Sequence, residues 1–331
     1  MIGAIVIACG SRGEAETQRQ SSYPGASSRL STWNSCLASV PILGCSTIVR
    51  TVDYLKQNGV DEVSVFGGRS RGPVAGPNAR TAQNDAAKDA WRAASRQLNI
   101  YRQDGFETVL ILNTVAYVEC ELASFIGQHR QQENVVTRAI DREGTLDCWA
   151  VDPQRFAAEE NLIAALDGVN FGECEIAGYA NRLRTPHDLR RLAADLLGGK
   201  CRMRPAGTES RPGVWVDEGA QIARGARIVA PAYIGRNVQV ADDCLITRSS
   251  NIESSSSVDF GTAVEDSSIL SNTYIGIGLD LCHSIVDGED MLNLHHEVRL
   301  RITDPVVMRR NSPVGQQKER LVQSEMSAMG L

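Results

Sequence analysis

Residues 214–288 read VWVDEGAQIARGARIVAPAYIGRNVQVADDCLITRSSNIESSSSVDFGTAVEDSSILSNTYIGIGLDLCHSIVDG, and an apolar residue returns at every sixth position. The series is Val216, Ile222, Ile228, Ile234, Val240, Ile246, Ile252, Val258, Val264 and Leu270. Four positions after each of the first nine stands a mostly small residue: Ala220, Ala226, Ala232, Val238, Cys244, Ser250, Ser256, Thr262 and Ser268. A helix repeats its faces every 3.6 residues and a strand every 2, so neither generates a period of six. A chain that turns a corner every six residues does, with the branched residue inside a prism and the small one near a corner. The pattern predicts a hexapeptide β-helix, a solenoid in which each coil covers the next, three hexads to a rung.

The whole chain has 331 residues, so the solenoid leaves room for a further domain. A hydrophobic share of 42% and a charged share of 22% are ordinary for a soluble globular protein. A net charge of −6 argues against non-specific binding to nucleic acid or anionic membrane. The nine cysteines are scattered without a CxxC pair, which reads as reduced thiols of a cytoplasmic protein and not as a disulfide framework or zinc site. Met1–Cys9 lacks a basic flank and is too short for a signal peptide or a membrane span.

Ile2–Ala8 is a continuous apolar run, expected of a strand buried on both faces of a parallel sheet. A polar stretch from Gly10, Ser11, Arg12 and Gly13 to about Asn34 follows it. Such a loop at the carboxyl edge of a sheet is where α/β proteins bind ligands. Further on, Thr47–Gln57, Asp85–Tyr101, Glu121–His129 and Pro153–Leu166 read as helices. Glu62–Phe66, Thr108–Leu112, Asn134–Ala139 and Leu146–Val151 read as strands, and 69–82 as a loop. Thr185-Pro186 caps a helix running to Leu197. Residues 1–200 are thus expected to form an α/β domain with a largely parallel sheet. Residues 201–213 read as a linker, 214–288 as a left-handed parallel β-helix, and 289–331 as a tail with a terminal helix over 316–329.

Several segments together resemble the sugar-nucleotide pyrophosphorylases, also called NDP-sugar synthases or mannose-1-phosphate guanylyltransferase-like proteins. They are Pro41–Gly44 with Ile48-Val49, Tyr54-Leu55 and Asn58–Val63; Val109–Asn113; Leu146–Pro153; Gly178-Tyr179 with Thr185-Pro186-x-Asp188-Leu189; and Arg211–Val214 leading into Asp217–Ala220. The stretch from Tyr274 to Gly288 is similar to a subgroup found with exopolysaccharide genes. The resemblance covers nearly the whole chain and implies a doubly wound, Rossmann-like nucleotidyltransferase domain ahead of the β-helix. It also implies a chemistry, in which a sugar 1-phosphate attacks the α-phosphate of a nucleoside triphosphate and pyrophosphate leaves. Such a reaction is catalysed mainly by positioning and charge neutralisation, through a glycine-rich loop with an Arg, a Lys, and two Asp residues holding Mg²⁺.

The matched positions depart from that pattern. The phosphate loop has two registers, Ala8–Gly13 or Gly25–Leu30, so Gly10, Arg12, Gly13 and Arg29 are all candidate nucleotide-binding residues. Leu37 stands in the place of the Lys, which removes its charge and its donors. The central strand runs Leu112-Asn113-Thr114-Val115, so that Val115 falls where the first metal Asp is expected; Asn113 or Glu119 is the substitute for it, and Asn113 is also a candidate nucleotide-binding residue. Arg182 occupies the second metal position, where it would repel Mg²⁺ but could pair with phosphate directly. No residue is assigned as catalytic or as a metal ligand, and no cofactor is expected, Mg²⁺ entering only if catalysis is retained.

The expectation is a pyrophosphorylase-like subunit that has lost metal-dependent catalysis and serves a regulatory, sugar-nucleotide-binding or scaffolding role. It would act as a homo-oligomer or beside a partner nucleotidyltransferase. The alternative is an active nucleotidyltransferase with non-standard ligands. Hexapeptide solenoids also form acyltransferases that use a His as base. His283, His295 and His296 lie in or just after this one, but the hexads from 216 to 270 carry no long insertion to form an acceptor loop.

Overall fold

The computed structural model describes residues 1–8, 37–67, 79–82, 87–114, 116–156, 162–168 and 172–311. The chain divides into two compact units, Met1–Val40 with Ser46–Asp188, and Pro41–Cys45 with Leu189–Leu331. The expected terminal helix over 316–329 and most of the loop read at 69–82 lie outside the described residues.

The elements of the first part, in chain order, are β1 (Ile2–Ile7), β2 (Pro41–Ile42), β3 (Cys45–Ser46), α1 (Thr47–Gln57), β4 (Glu62–Phe66), β5 (Ala79–Ala82) and α2 (Ala87–Gln103). They continue with β6 (Thr108–Asn113), β7 (Tyr117–Cys120), α3 (Leu122–Gln131), β8 (Val136–Asp141), β9 (Gly144–Val151), α4 (Leu162–Gly168), β10 (Gly172–Glu175), β11 (Gly178–Asn181) and α5 (Pro186–Leu197). Seven strands form one sheet in the order β10-β8-β9-β6-β1-β4-β5. The β1–β4, β1–β6, β4–β5 and β8–β10 pairs are parallel, while β9 runs antiparallel to both β6 and β8, so the sheet is mixed. A separate antiparallel pair joins β11 to β7.

Sequence explains the layering. All of Thr108–Asn113 and nearly all of β1 are buried, as strands covered on both faces require. Helix α2 packs on the sheet through Ala90, Trp91, Ala94, Leu98 and Tyr101, which recur at helical spacing. Ala93 is partly buried and packs against the same core. Trp91 meets Trp149 edge-on at 6.4 Å between centroids. The helix expected over Pro153–Leu166 is present as Leu162–Gly168. Its proposed start is a turn instead, where the Asp152 carboxylate accepts from the Gln154 and Arg155 N–H groups. Thr185 and Asp188 exchange side chain to backbone hydrogen bonds at the start of α5, the reciprocal arrangement of a capping box.

In the second unit the short strands form three ladders. One contains Val214–Val216, Ala232–Ile234, Ser250–Ile252, Ser268–Ile269 and Ser284–Asp287, all parallel. A second contains Gln221–Ile222, Gln239–Val240, Ser257–Val258 and Thr273–Ile275, and a third Arg227–Ile228, Leu245–Thr247, Ala263–Glu265 and Asp280–Cys282. The apolar hexad residues pair with one another: Val216 with Ile234, Ile234 with Ile252, Ile228 with Ile246 and Ile246 with Val264. From Ile228 to Val264 they are buried in one core. Ile222 is 37% exposed because its strand is the first of its ladder and nothing precedes it.

The register changes once. Ile252 pairs with Ile269, not with Leu270, and Val258 and Val264 pair with Ile275 and Leu281. One residue is dropped after Val264, and the hexad then resumes in a new phase through Ile269, Ile275 and Leu281. The tenth interior position is therefore Ile269. Antiparallel strands Asp290–Asn293 and Val298–Arg301 extend the first ladder, and Met308–Arg310 pairs with Thr273–Ile275 in the second. Among the described residues, no helix is long and apolar enough to cross a membrane.

Candidate functional site

Strand β1 lies between β4 and β6, and the chain builds outward to β4 and β5 before returning to β6 on the other side. The β1/β6 boundary is therefore a topological switch point, the place in an open α/β sheet where ligands are bound. Ile7 pairs with Asn113 at that edge. Thr114 reinforces it, its N–H and its hydroxyl both donating to the Ile7 carbonyl at 2.9 and 3.1 Å. On the other flank the Ala8 N–H donates to the Phe66 carbonyl at 2.7 Å. Gly67 follows with φ +77°, and a Cβ there would lie 2.2 Å from the Ala8 carbonyl oxygen, so only glycine allows this approach.

Asn113 and Thr114 are 1% and 3% exposed, and they bring an amide and a hydroxyl to the edge. An amide such as that of Asn113 can hydrogen-bond a phosphate, ribose or base, whereas the Thr114 hydroxyl, its proton given to the Ile7 carbonyl, can only accept. Neither supplies the anionic oxygen that Mg²⁺ takes from a carboxylate. Beyond them β7 is held by Tyr54, whose hydroxyl donates to the Cys120 carbonyl and accepts from its N–H at 3.2 Å. Tyr117 donates to Glu119 Oε1 at 2.7 Å, so the one carboxylate of β7 is buried beside its own strand.

Across the β7–β11 pair stands Asn181, fully buried, donating to the Tyr179 hydroxyl and the Asp188 carbonyl at 3.3 and 3.1 Å. The next residue, Arg182, forms a clamp. Its Nη1 and Nη2 reach both oxygens of Asp141 at 2.9 and 2.6 Å, while Nη1 also bonds Glu143 at 2.9 Å and Nη2 the Gly144 carbonyl at 3.1 Å. This fastens the β8–β9 turn to the end of β11. The Asp141 hydrogen bond raises the Arg182 guanidinium above its ordinary value. Burial pushes the Asp141 carboxyl up, but the Arg182 hydrogen bond and the Glu143 N–H outweigh it and hold the group below the usual carboxylate range. Arg182 thus faces carboxylates, and both of its Nη groups donate to protein oxygens.

Of the expected nucleotide-binding residues, Asn113 lies at the switch point and Arg182 in the clamp just described. Gly10, Arg12, Gly13 and Arg29 lie outside the described residues, as does Val115. The residue types at Asn113, Thr114 and Arg182 do not fit a Mg²⁺ site, and among the described residues no three His, Cys, Asp or Glu side chains are placed to hold a metal ion. Two features had no local signal. Asp141 is the partner of Arg182 across 41 residues, and Thr114 acts through the backbone of β1. No family model matches the chain, and no curated protein matches it either.

Proposed function

We propose that this chain is a sugar-nucleotide pyrophosphorylase-like protein that binds a nucleotide or nucleoside diphosphate sugar at the β1/β6 switch point without metal-dependent turnover. The observation that carries the reading is the end of β6, where buried Asn113 and Thr114 place neutral polar side chains at the β1/β6 edge of the mixed sheet. Neutral donors and acceptors suit recognition, and they leave the charge developed in phosphoryl transfer uncompensated. Arg182, held by Asp141 and Glu143, supports the same reading, since the position that would carry a metal carboxylate carries a structural cation.

The second unit fits a left-handed parallel β-helix, supported by three parallel ladders whose partners are 18 residues apart up to Val264, as Ile228 with Ile246, and 17 apart beyond it, as Val264 with Leu281. In this reading it is the assembly module of a regulatory or scaffolding subunit, packing as a homo-oligomer or beside a catalytically active nucleotidyltransferase. A cytoplasmic setting is supported by the described cysteines, which are all free thiols.

A thermal-shift panel of nucleoside triphosphates, nucleoside diphosphate sugars and sugar phosphates, each with and without Mg²⁺, tests the proposal. A ligand that binds only the folded chain stabilises it by about 2.7 kcal/mol at about a hundred times its Kd. Stabilisation by a sugar nucleotide without Mg²⁺ is the expected result. A shift that requires Mg²⁺, accompanied by pyrophosphate release, would favour the active-enzyme reading, and no shift with any of these ligands would sink nucleotide binding.

A further inference from the structure

Three of the five histidines gather at the last coil of the second unit. His283 Nδ1 donates to Asp266 Oδ2 at 2.6 Å, and the other oxygen of Asp266 accepts from Arg190 Nη2 at 2.8 Å. Arg190 is 5% exposed, and its Nη2 also bonds the Arg248 and Ser249 carbonyls, so the carboxylate is anchored from inside the fold. The ring of His295 lies 5.8 Å from that of His283, and the ring of His296 lies 4.7 Å from that of His295. The loop that carries both is pinned to the coil. The Leu294 N–H donates to the His283 carbonyl at 2.7 Å, Asn293 Nδ2 to the Cys282 carbonyl at 3.1 Å, and the His296 N–H to Asn293 Oδ1 at 2.9 Å.

We propose that His283, His295 and His296 form a binding site for a borderline divalent cation of the Zn²⁺ class, with Asp266 as the carboxylate that orients His283. A histidine that ligates a metal commonly donates its other ring N–H to a carboxylate, which fixes the tautomer and makes the ligating nitrogen more basic. The Asp266–His283 pair has that arrangement already, and it directs Nε2 away from Asp266. Zn–N bonds of about 2.0–2.1 Å in a tetrahedral site place two imidazole centroids about 5 Å apart, and the two separations observed bracket that distance. As the rings stand, no three groups converge on one point. All three histidines are exposed, so His295 and His296 can turn about their side-chain bonds without displacing core. Imidazole nitrogens select Zn²⁺, Ni²⁺ or Cu²⁺ over Mg²⁺ and Ca²⁺, which prefer oxygen. The bound ion would tie the coil corner at Asp266 and His283 to the loop after Asn293. This site is independent of the nucleotide reading.

The test is calorimetric titration of the full-length chain with ZnCl₂, with MgCl₂ as control, on the wild type and on His295→Gln, His283→Gln, Cys282→Ser and Asp266→Asn variants. The wild type is expected to take up one Zn²⁺ that is lost in either histidine variant and kept in Cys282→Ser. Asp266→Asn, which retains all three imidazoles, should weaken that equivalent about 10- to 100-fold. Zn²⁺ should also raise the melting temperature of the wild type and not that of His295→Gln, whose exposed side chain has no part in the core. Equal Zn²⁺ uptake by the wild type and His295→Gln would overturn the proposal, as would loss of the equivalent in Cys282→Ser alone or full affinity in Asp266→Asn.

Discussion

The backbone N–H of Ser267 donates to the hydroxyl of Ser250, 17 residues earlier, at 3.1 Å. The single proton of that hydroxyl faces two carbonyls, Thr247 at 2.6 Å and Val264, 14 residues ahead, at 3.1 Å. This relationship recurs at the neighbouring corners. Ser256 donates to the Leu270 carbonyl and accepts from Thr273, and Thr262 donates to the Gly276 carbonyl and accepts from Leu279. Ser267 accepts from the Ser284 N–H in the same way, its own proton facing the Glu265 carbonyl at 2.7 Å and the Leu281 carbonyl at 3.3 Å. A small residue at this place in the hexad is thus also a connector, because a hydroxyl supplies one donor and accepts as well. Each joins one repeat to the next, 17 residues on.

Replacing Ser250 with alanine should therefore cost more than an ordinary small-residue change. Ser250 is fully buried, and the variant leaves the Ser267 N–H without its acceptor. A buried donor left unsatisfied costs about 1–3 kcal/mol. A lowered urea midpoint with an unchanged denaturant slope is the expected result, while Ser254→Ala, at a part-exposed corner, should change the midpoint little.

Glu253 defines a second buried polar node. Its carboxylate is fully buried and accepts from the Leu43 and Gly44 N–H groups at 2.7 and 3.0 Å and from Asn251 Nδ2 at 2.8 Å. Gly44 has φ +84°, and a Cβ on it would lie 2.4 Å from the Tyr233 hydroxyl and 2.6 Å from the Ala206 Cβ. Glu253→Gln turns one acceptor into a donor that faces an N–H, and hydrogen bonds to charged groups contribute about 1.5–3 kcal/mol. Both Glu253→Gln and Gly44→Ala are expected to destabilise, and in the double variant the losses should be less than additive, because they act on one turn. Additive melting-temperature losses would show that the two residues act separately.

The difference between what the sequence announces and what it conceals follows from distance along the chain. The hexad is readable because no common element repeats every six residues, and the pairs from Val216 to Val264 follow it. The phase change at Ile269 is hidden because Ile269 and Leu270 are both apolar, so dropping a residue leaves no mark. Strands β7 and β11, with sequences YVEC and GYAN, are too short to show an alternation. The edge residue Asn113 was legible as the end of an apolar strand. The role of Arg182 was not, since Asp141 is 41 residues away and nothing local marks it as a partner. Glu253 stands in a serine-rich stretch that reads as surface, and its N–H partners lie 210 and 209 residues away.

The Arg182–Asp141 clamp should show itself in acid. Asp141 ordinarily titrates near 3.8 and is held lower in the fold. A carboxyl whose folded pKa is depressed adds stability that is complete above its unfolded pKa and is lost as pH falls through the folded value. The Asp141→Asn variant should thus be less stable than the wild type at pH 7, and the gap should narrow as pH drops below about 4. Melting temperatures of both proteins across pH 2.5–7 measure it, and a gap that is constant through that range would mean that the pair contributes nothing through its charge.

The end of β6 provides the most direct check on the functional reading. Asn113→Asp changes few atoms at a position that is 1% exposed, and it places an anionic oxygen beside Thr114 at the switch point. A phosphate ligand approaching that edge would meet a like charge, so Mg²⁺-free stabilisation by a sugar nucleotide should fall about tenfold or more in apparent affinity, equivalent to about 1.4 kcal/mol or more. Mg²⁺ should then recover part of the loss, because the cation can bridge carboxylate and phosphate oxygens. The thermal-shift titration that tests binding in the wild type, repeated on this variant with and without Mg²⁺, reads both effects. If the variant binds as the wild type does without metal, Asn113 does not face the ligand, and the β1/β6 edge is not where the nucleotide sits.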